Sequence, residues 1–95
     1  MEYIMTFKNT NHAIKAEQCL LKGKLYVAVL PLPSQIREGC GICLRVNPND
    51  IKQAIEVLAD NNIDEIGLFL KTTENGKGIY TEVERGSISM ERSED

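Results

Sequence analysis

The longest strongly apolar run in this sequence is Leu25 to Leu30, far short of the roughly 20 residues that span a bilayer. The amino terminus also lacks a basic stretch followed by an apolar one, so no secretory leader is expected and the chain is expected in the cytoplasm. Positive charge is not in excess either. Residues 1 to 73 hold eight basic and eight acidic side chains, residues 74 to 95 hold three against six, and the net charge is -3. Such a balance supplies no general field for attracting phosphate backbones, and no nucleic-acid or membrane partner is expected. Three cysteines in a chain expected to stay in a reducing compartment read as thiols rather than as a disulfide framework. No Ser/His/Asp set, paired-carboxylate site, phosphate-cradling glycine loop or H-x-x-x-H is visible, which weighs against hydrolases and nucleotide-dependent enzymes. Internal repeats and low-complexity tracts are absent as well.

What remains is ordinary globular composition, 42% apolar and 26% charged over 95 residues, enough for one domain with one core. Tyr3 to Phe7 is β-prone. Lys8 to Asn11 then ends a strand and offers caps to a helix from about Thr10 to Lys22, with Ala13, Ile14, Ala16, Leu20 and Leu21 on one side and Gly23 as its stop. Leu25 to Leu30 reads as a buried strand closed by Pro31 and Pro33. Ser34 to Gly39 is a loop or a single helical turn, and Gly41 to Val46 alternates as a half-buried strand. Asn47, Pro48 and Asp50 open a second helix carrying Ile51, Ala54, Ile55 and Leu58, and Asn61 and Asn62 close it. Ile66, Leu68 and Leu70 alternate as a fourth strand.

This order predicts an α+β fold, a two-layer ferredoxin-like β-α-β-β-α-β sandwich over residues 1 to 73. An acidic extension follows over 74 to 95. There Asn75-Gly76 signals a hairpin that would return Ile79 to Glu84 as an extra edge strand, and the stretch from Gly86 onward has too few apolar residues to hold itself down. Helices cover only one face of such a sheet. Ile4, Tyr26, Ala28, Leu30, Cys43 and Phe69 would point to the other, which predicts that a second chain or the tail covers it.

Cys40 stands between Gly39 and Gly41 in the connection between the second and third strands, at the end of the sheet where the first helix begins. It is expected to face Thr10, Asn11 and His12. Free amides and the positive end of the helix dipole, with Lys8, His12 and Arg37 nearby, would favour a thiolate able to attack sulfur or selenium donors; the alternative is an unreactive loop cysteine. His12 could tune that thiol or be a solvated surface residue. Glu17 falls in the apolar arc of the first helix and either accepts a bond from the Cys40 loop or marks the helix edge. Cys19 reads as a structural thiol. Cys40-Gly-Ile-Cys43 is also a C-x-x-C pair, suited to redox couples or half a zinc site. Three extended steps would hold its α-carbons too far apart for a disulfide unless the chain turns at Gly41. Zinc would need a second chain, and no metal is expected.

A strand ending in phenylalanine, the run Thr10-Asn-His-Ala-Ile-Lys-Ala-Glu17, Pro31-Leu-Pro33 and Gly39-Cys-Gly-Ile-Cys-Leu-Arg45 together resemble the selenium/sulfur carrier-like domains of bacteria over about residues 3 to 71. The resemblance implies a small cytoplasmic domain in which Cys40 holds sulfur or selenium. Cys43 departs from it, where a small apolar residue is expected. The leading expectation is a carrier that needs no cofactor and works between donor and acceptor proteins rather than as a stand-alone enzyme. A C-x-x-C redox protein or sensor and a noncatalytic regulatory or interaction module are the alternatives.

Overall fold

A computed structural model describes residues 1 to 86. The order of elements is β1 (Glu2–Phe7), α1 (Thr10–Lys22), β2 (Val27–Pro31), β3 (Ile42–Val46), a 3₁₀ turn (Pro48–Asp50), α2 (Ile51–Asp60), β4 (Ile66–Glu74) and β5 (Lys77–Glu82). Among the described residues the fold is α+β: one five-stranded sheet in the order β2-β3-β1-β4-β5, antiparallel at every pairing, packed with α1 and α2. The segment expected beyond Gly86 lies outside the described residues.

Period-two alternation assigns the sheet faces. Met5, Phe7, Val27, Leu44, Val46 and Leu68 pack with Ala13, Ala16 and Leu20 of α1 and with Ile51, Ala54, Ile55 and Leu58 of α2 in the main core. The stripe read for α2 is the buried one, whereas that of α1 is turned: Ala13, Ala16 and Leu20 are buried, but Ile14 and Leu21 are exposed. Its buried side follows Ala13-Ala16-Leu20, the side that meets both the sheet and α2 in the main core. Both helices end in a paired bond pattern that needs one left-handed residue. After α2 it is Asn62 (φ 63), as expected, with Ile63 N–H donating to Leu58 O at 2.8 Å. After α1 it is Lys24 (φ 65), not Gly23. A Cβ on Gly23 would make only an ordinary contact, 3.5 Å from Val57 Cγ2 of α2, so neither backbone angle nor space requires glycine there.

Two strand expectations need correction. The second strand is not a buried one: it starts at Val27 and forms an edge of the sheet, with Val29 partly exposed and Tyr26, just before it, 69% exposed. Edge placement also accommodates Pro31, whose missing N–H would break an inner ladder. The hairpin forms at Asn75 (φ 53) and Gly76 (φ 80), but the returning strand is Lys77–Glu82 and pairs Glu74 with Lys77 directly across the turn. Two left-handed residues between paired neighbours match the twist of a two-residue hairpin.

The face away from the helices is closed at its centre from within the chain. Ile4, Cys43 and Ile36 are buried there, with Leu30, Leu32, Phe69 and Tyr80 packed around them. Ile36 and Leu32 belong to the β2–β3 connection, so that connection supplies the cover expected from a second chain or the tail. Toward one end of the same face, Glu2 bridges Arg45 at 3.4 Å and Lys71 at 3.8 Å; these partly exposed pairs add little to stability. Ile36→Ala should lower the unfolding free energy by about 2 kcal/mol. In urea denaturation followed by thiol labelling, the same change should speed reaction of Cys43.

Candidate functional site

Residues 32 to 41 form a pinched excursion. Its base is closed by Leu32 N–H donating to Gly41 O at 2.9 Å, and its first turn by Ile36 N–H donating to Pro33 O at 3.0 Å. Cys40 sits between two left-handed glycines, Gly39 (φ 121) and Gly41 (φ 96), a backbone that L side chains adopt only with strain. A Cβ on Gly39 would lie 3.4 Å from Thr6 Cβ, 3.5 Å from Leu32 Cδ2 and 3.8 Å from Phe7 O, whereas one on Gly41 would meet nothing. The excursion therefore docks on the last two residues of β1, at the end of the sheet where α1 starts. Cys40 is half-buried, packs against the main core, and its Sγ–H donates to Ile42 O at 3.7 Å.

Cys43 is a different kind of thiol. It is fully buried in the small cluster on the opposite face of the sheet, and its Sγ–H donates to Pro31 O at 3.7 Å. Burial, and then the neighbouring Cys40, push its pKa up, since neither apolar surroundings nor a second negative sulfur favours a thiolate. Both cysteines are free, as is the half-buried Cys19, which packs on the main core as a structural thiol would.

At the start of α1 the cap is Asn9, whose Oδ1 accepts from His12 N–H at 2.9 Å. Thr10 and Asn11 are exposed. His12 lines a shallow depression of about 70 Å³ with Lys15 and the segment from Asn62 to Glu65, and no hydrogen bond among the described residues joins it to Cys40. Glu17 is half-buried, with no ion pair or hydrogen bond among the described residues, and lies at the edge of the buried stripe. Arg37 is exposed on the excursion. Gly39, Cys40, Gly41 and Cys43 thus come together on one connection, while Thr10, Asn11 and His12 share its end of the sheet without bonding to it. No group of three His, Cys, Asp or Glu residues among the described residues could hold a metal ion. No helix among them is long and apolar enough to cross a membrane.

Sequence reading missed a cavity of about 340 Å³ beside this loop, whose lining includes Thr6, Phe7, Glu38, Gly39, Gly67 and Glu82. Gly67 was the available signal, because an isolated glycine inside a strand marks close approach of another group.

A two-layer α+β domain that displays one half-exposed thiol on a glycine-flanked loop defines a class of small thiol-bearing proteins. Within that class the chain belongs to the family described as "Putative Se/S carrier protein-like", whose family model matches residues 2–70. Comparison with curated proteins found no match.

Two measurements follow from the loop and its thiols. Gly39→Ala and Gly41→Ala should each destabilise the fold by about 1–3 kcal/mol, because each puts a side chain on left-handed backbone without creating a clash; urea midpoints measure the losses. Cys43 has its folded pKa raised above the ordinary 9.0. The stability it contributes is therefore complete below that value and lost as pH rises through the folded pKa. Unfolding free energies between about pH 8 and pH 11 should fall more steeply for the native protein than for Cys43→Ala.

Proposed function

We propose that this chain carries sulfur or selenium as a persulfide-like or selenopersulfide-like adduct on Cys40 and passes it to a cysteine of a partner protein. The observation that carries this reading is the placement of Cys40: half-exposed, between two glycines that add no side chain, on the family-matched part of the chain. Membership in a carrier family implies donors and acceptors. We read the strand order as ferredoxin-like with one added edge strand, and the setting as cytoplasmic.

The chemistry is a thiol exchange that needs no cofactor. The Cys40 thiolate attacks the terminal sulfur of a donor cysteine persulfide. A bond forms between Cys40 Sγ and that sulfur, the donor's S–S bond breaks, and the donor cysteine leaves as a thiolate. The transferred sulfur keeps its proton and its oxidation level, so no electron carrier takes part. An acceptor thiolate repeats the step on the loaded Cys40, which returns to its starting form. On ionisation Cys40 gives up its bond to Ile42 O; at the same end of the sheet the amide of His12 is already taken by Asn9 Oδ1, which leaves the amides of Thr10 and Asn11 as the first-turn donors of α1 without a partner in the helix.

The two cysteines divide this work unequally. Cys43 is buried and its ionisation is disfavoured, so loading should need Cys40 alone. Intact-mass measurement after incubation with a cysteine desulfurase and cysteine should show one added sulfur on the native protein and on Cys43→Ser, and none on Cys40→Ser. Loading that survives Cys40→Ser would remove the assignment.

A further inference from the structure

We propose that the cavity beside the Cys40 loop is a binding site for a primary ammonium group, presented by a small amine or by a lysine of a partner protein. Its walls carry three carboxylates, Glu38, Glu65 and Glu82, against one cation, Lys8. Lys8 lies 3.9 Å from Glu65, which leaves Glu38 and Glu82 without a counter-charge among the described residues. A row of acidic groups alone would only describe a solvated rim.

Thr6 makes the difference. It is 2% exposed and the one buried polar residue among those described, yet its hydroxyl has no hydrogen-bond partner among them. No polar side-chain atom cut off from solvent lacks a partner among the described residues, so the Thr6 hydroxyl must open onto the cavity that Thr6 lines. Buried hydroxyls are normally bonded, and one left open inside a cleft is a group awaiting a partner. Gly67 keeps that hydroxyl accessible. A Cβ there would collide with Thr6 Oγ1 and would lie 3.1 Å from Glu38 Oε1. Gly67 has no left-handed backbone to explain it, so space is its reason. The same point in the cavity is therefore approached by a neutral acceptor and by an ionised carboxylate, an arrangement that suits an N⁺–H donor with more than one proton to give. Glu82 comes from β5, outside the residues matched by the family model, so this chain completes the site with its own hairpin.

The proposal does not depend on sulfur chemistry at Cys40, and its test uses probes without sulfur. Native protein is titrated with propylammonium chloride, with tetramethylammonium chloride and with a blocked Gly-Lys-Gly peptide, and amide shifts are followed by NMR. Propylammonium should give saturable shifts centred on Thr6, Glu38 and Gly67, and tetramethylammonium, which has no N–H, should not. Thr6→Val and Glu38→Gln should each weaken binding by about tenfold or more, with native-like spectra showing that the fold is kept. Equal affinity for propylammonium and the peptide identifies free amines as ligands, and tighter binding of the peptide identifies a partner's lysine. Absence of saturable shifts, equal binding of tetramethylammonium, or binding unchanged by Thr6→Val would overturn the site.

Discussion

The bond from Leu32 N–H to Gly41 O, with left-handed backbone at Gly39 and Gly41 on either side of Cys40, fixes how the β2–β3 connection folds back on the sheet. With that bend in place, Ile36 and Leu32 reach the face without helices and bury Ile4 and Cys43. Cys40 is carried around the strand end to the helical side, where it packs on the main core. Glu38 is set above Gly67 and becomes one wall of the cavity. A Cβ at position 39 would meet Thr6, Leu32 and Phe7 only at ordinary contact distances, so glycine there serves the left-handed backbone angle, and a side chain would strain the bend that all three arrangements share.

The elements were legible in the sequence wherever local chemistry decides them. The i, i+3, i+4, i+7 stripe placed α2 and Asn75-Gly76 placed the hairpin, because periodicity and turn geometry act over a few residues; Pro48 opens a 3₁₀ turn ahead of α2 instead of α2 itself, and neither Asn47 nor Asp50 makes the side-chain cap bond expected of it. The burial of β2 was not legible: an unbroken apolar run reads as a central strand, and only the pairing of β3 with β1 leaves β2 at the edge. The buried stripe of α1 was not legible either, because Ile14 and Leu21 lie in the same apolar arc as Ala13, Ala16 and Leu20 and only the packing decides which of them are covered. At the site, the bend around Cys40 could be read from its flanking glycines. The separation of Cys40 and Cys43 into different clusters could not, because it depends on the docking of a loop that has no periodicity. Thr6 and Glu38 were missed for the same reason: their neighbour Gly67 lies about sixty residues from one and thirty from the other.

The contrast between Cys40 and Cys43 bears on how a carrier would keep its cargo. A persulfide on Cys40 is vulnerable to any nearby thiolate. If Cys43 attacked the inner sulfur, a Cys40–Cys43 disulfide would form, the persulfide bond would break, and hydrosulfide would leave with the cargo. That step needs Cys43 ionised and within reach. Its burial among Ile4, Ile36 and Leu30 opposes the first requirement, as does a neighbouring sulfur that is itself negative when ionised, and its bond to Pro31 O would have to be given up before it could attack. A C-x-x-C spacing can therefore serve single-thiol chemistry, provided the second cysteine is held protonated in hydrocarbon. The cover that Ile36 places over Cys43 is then part of the same device that presents Cys40: one connection exposes the first thiol and closes over the second.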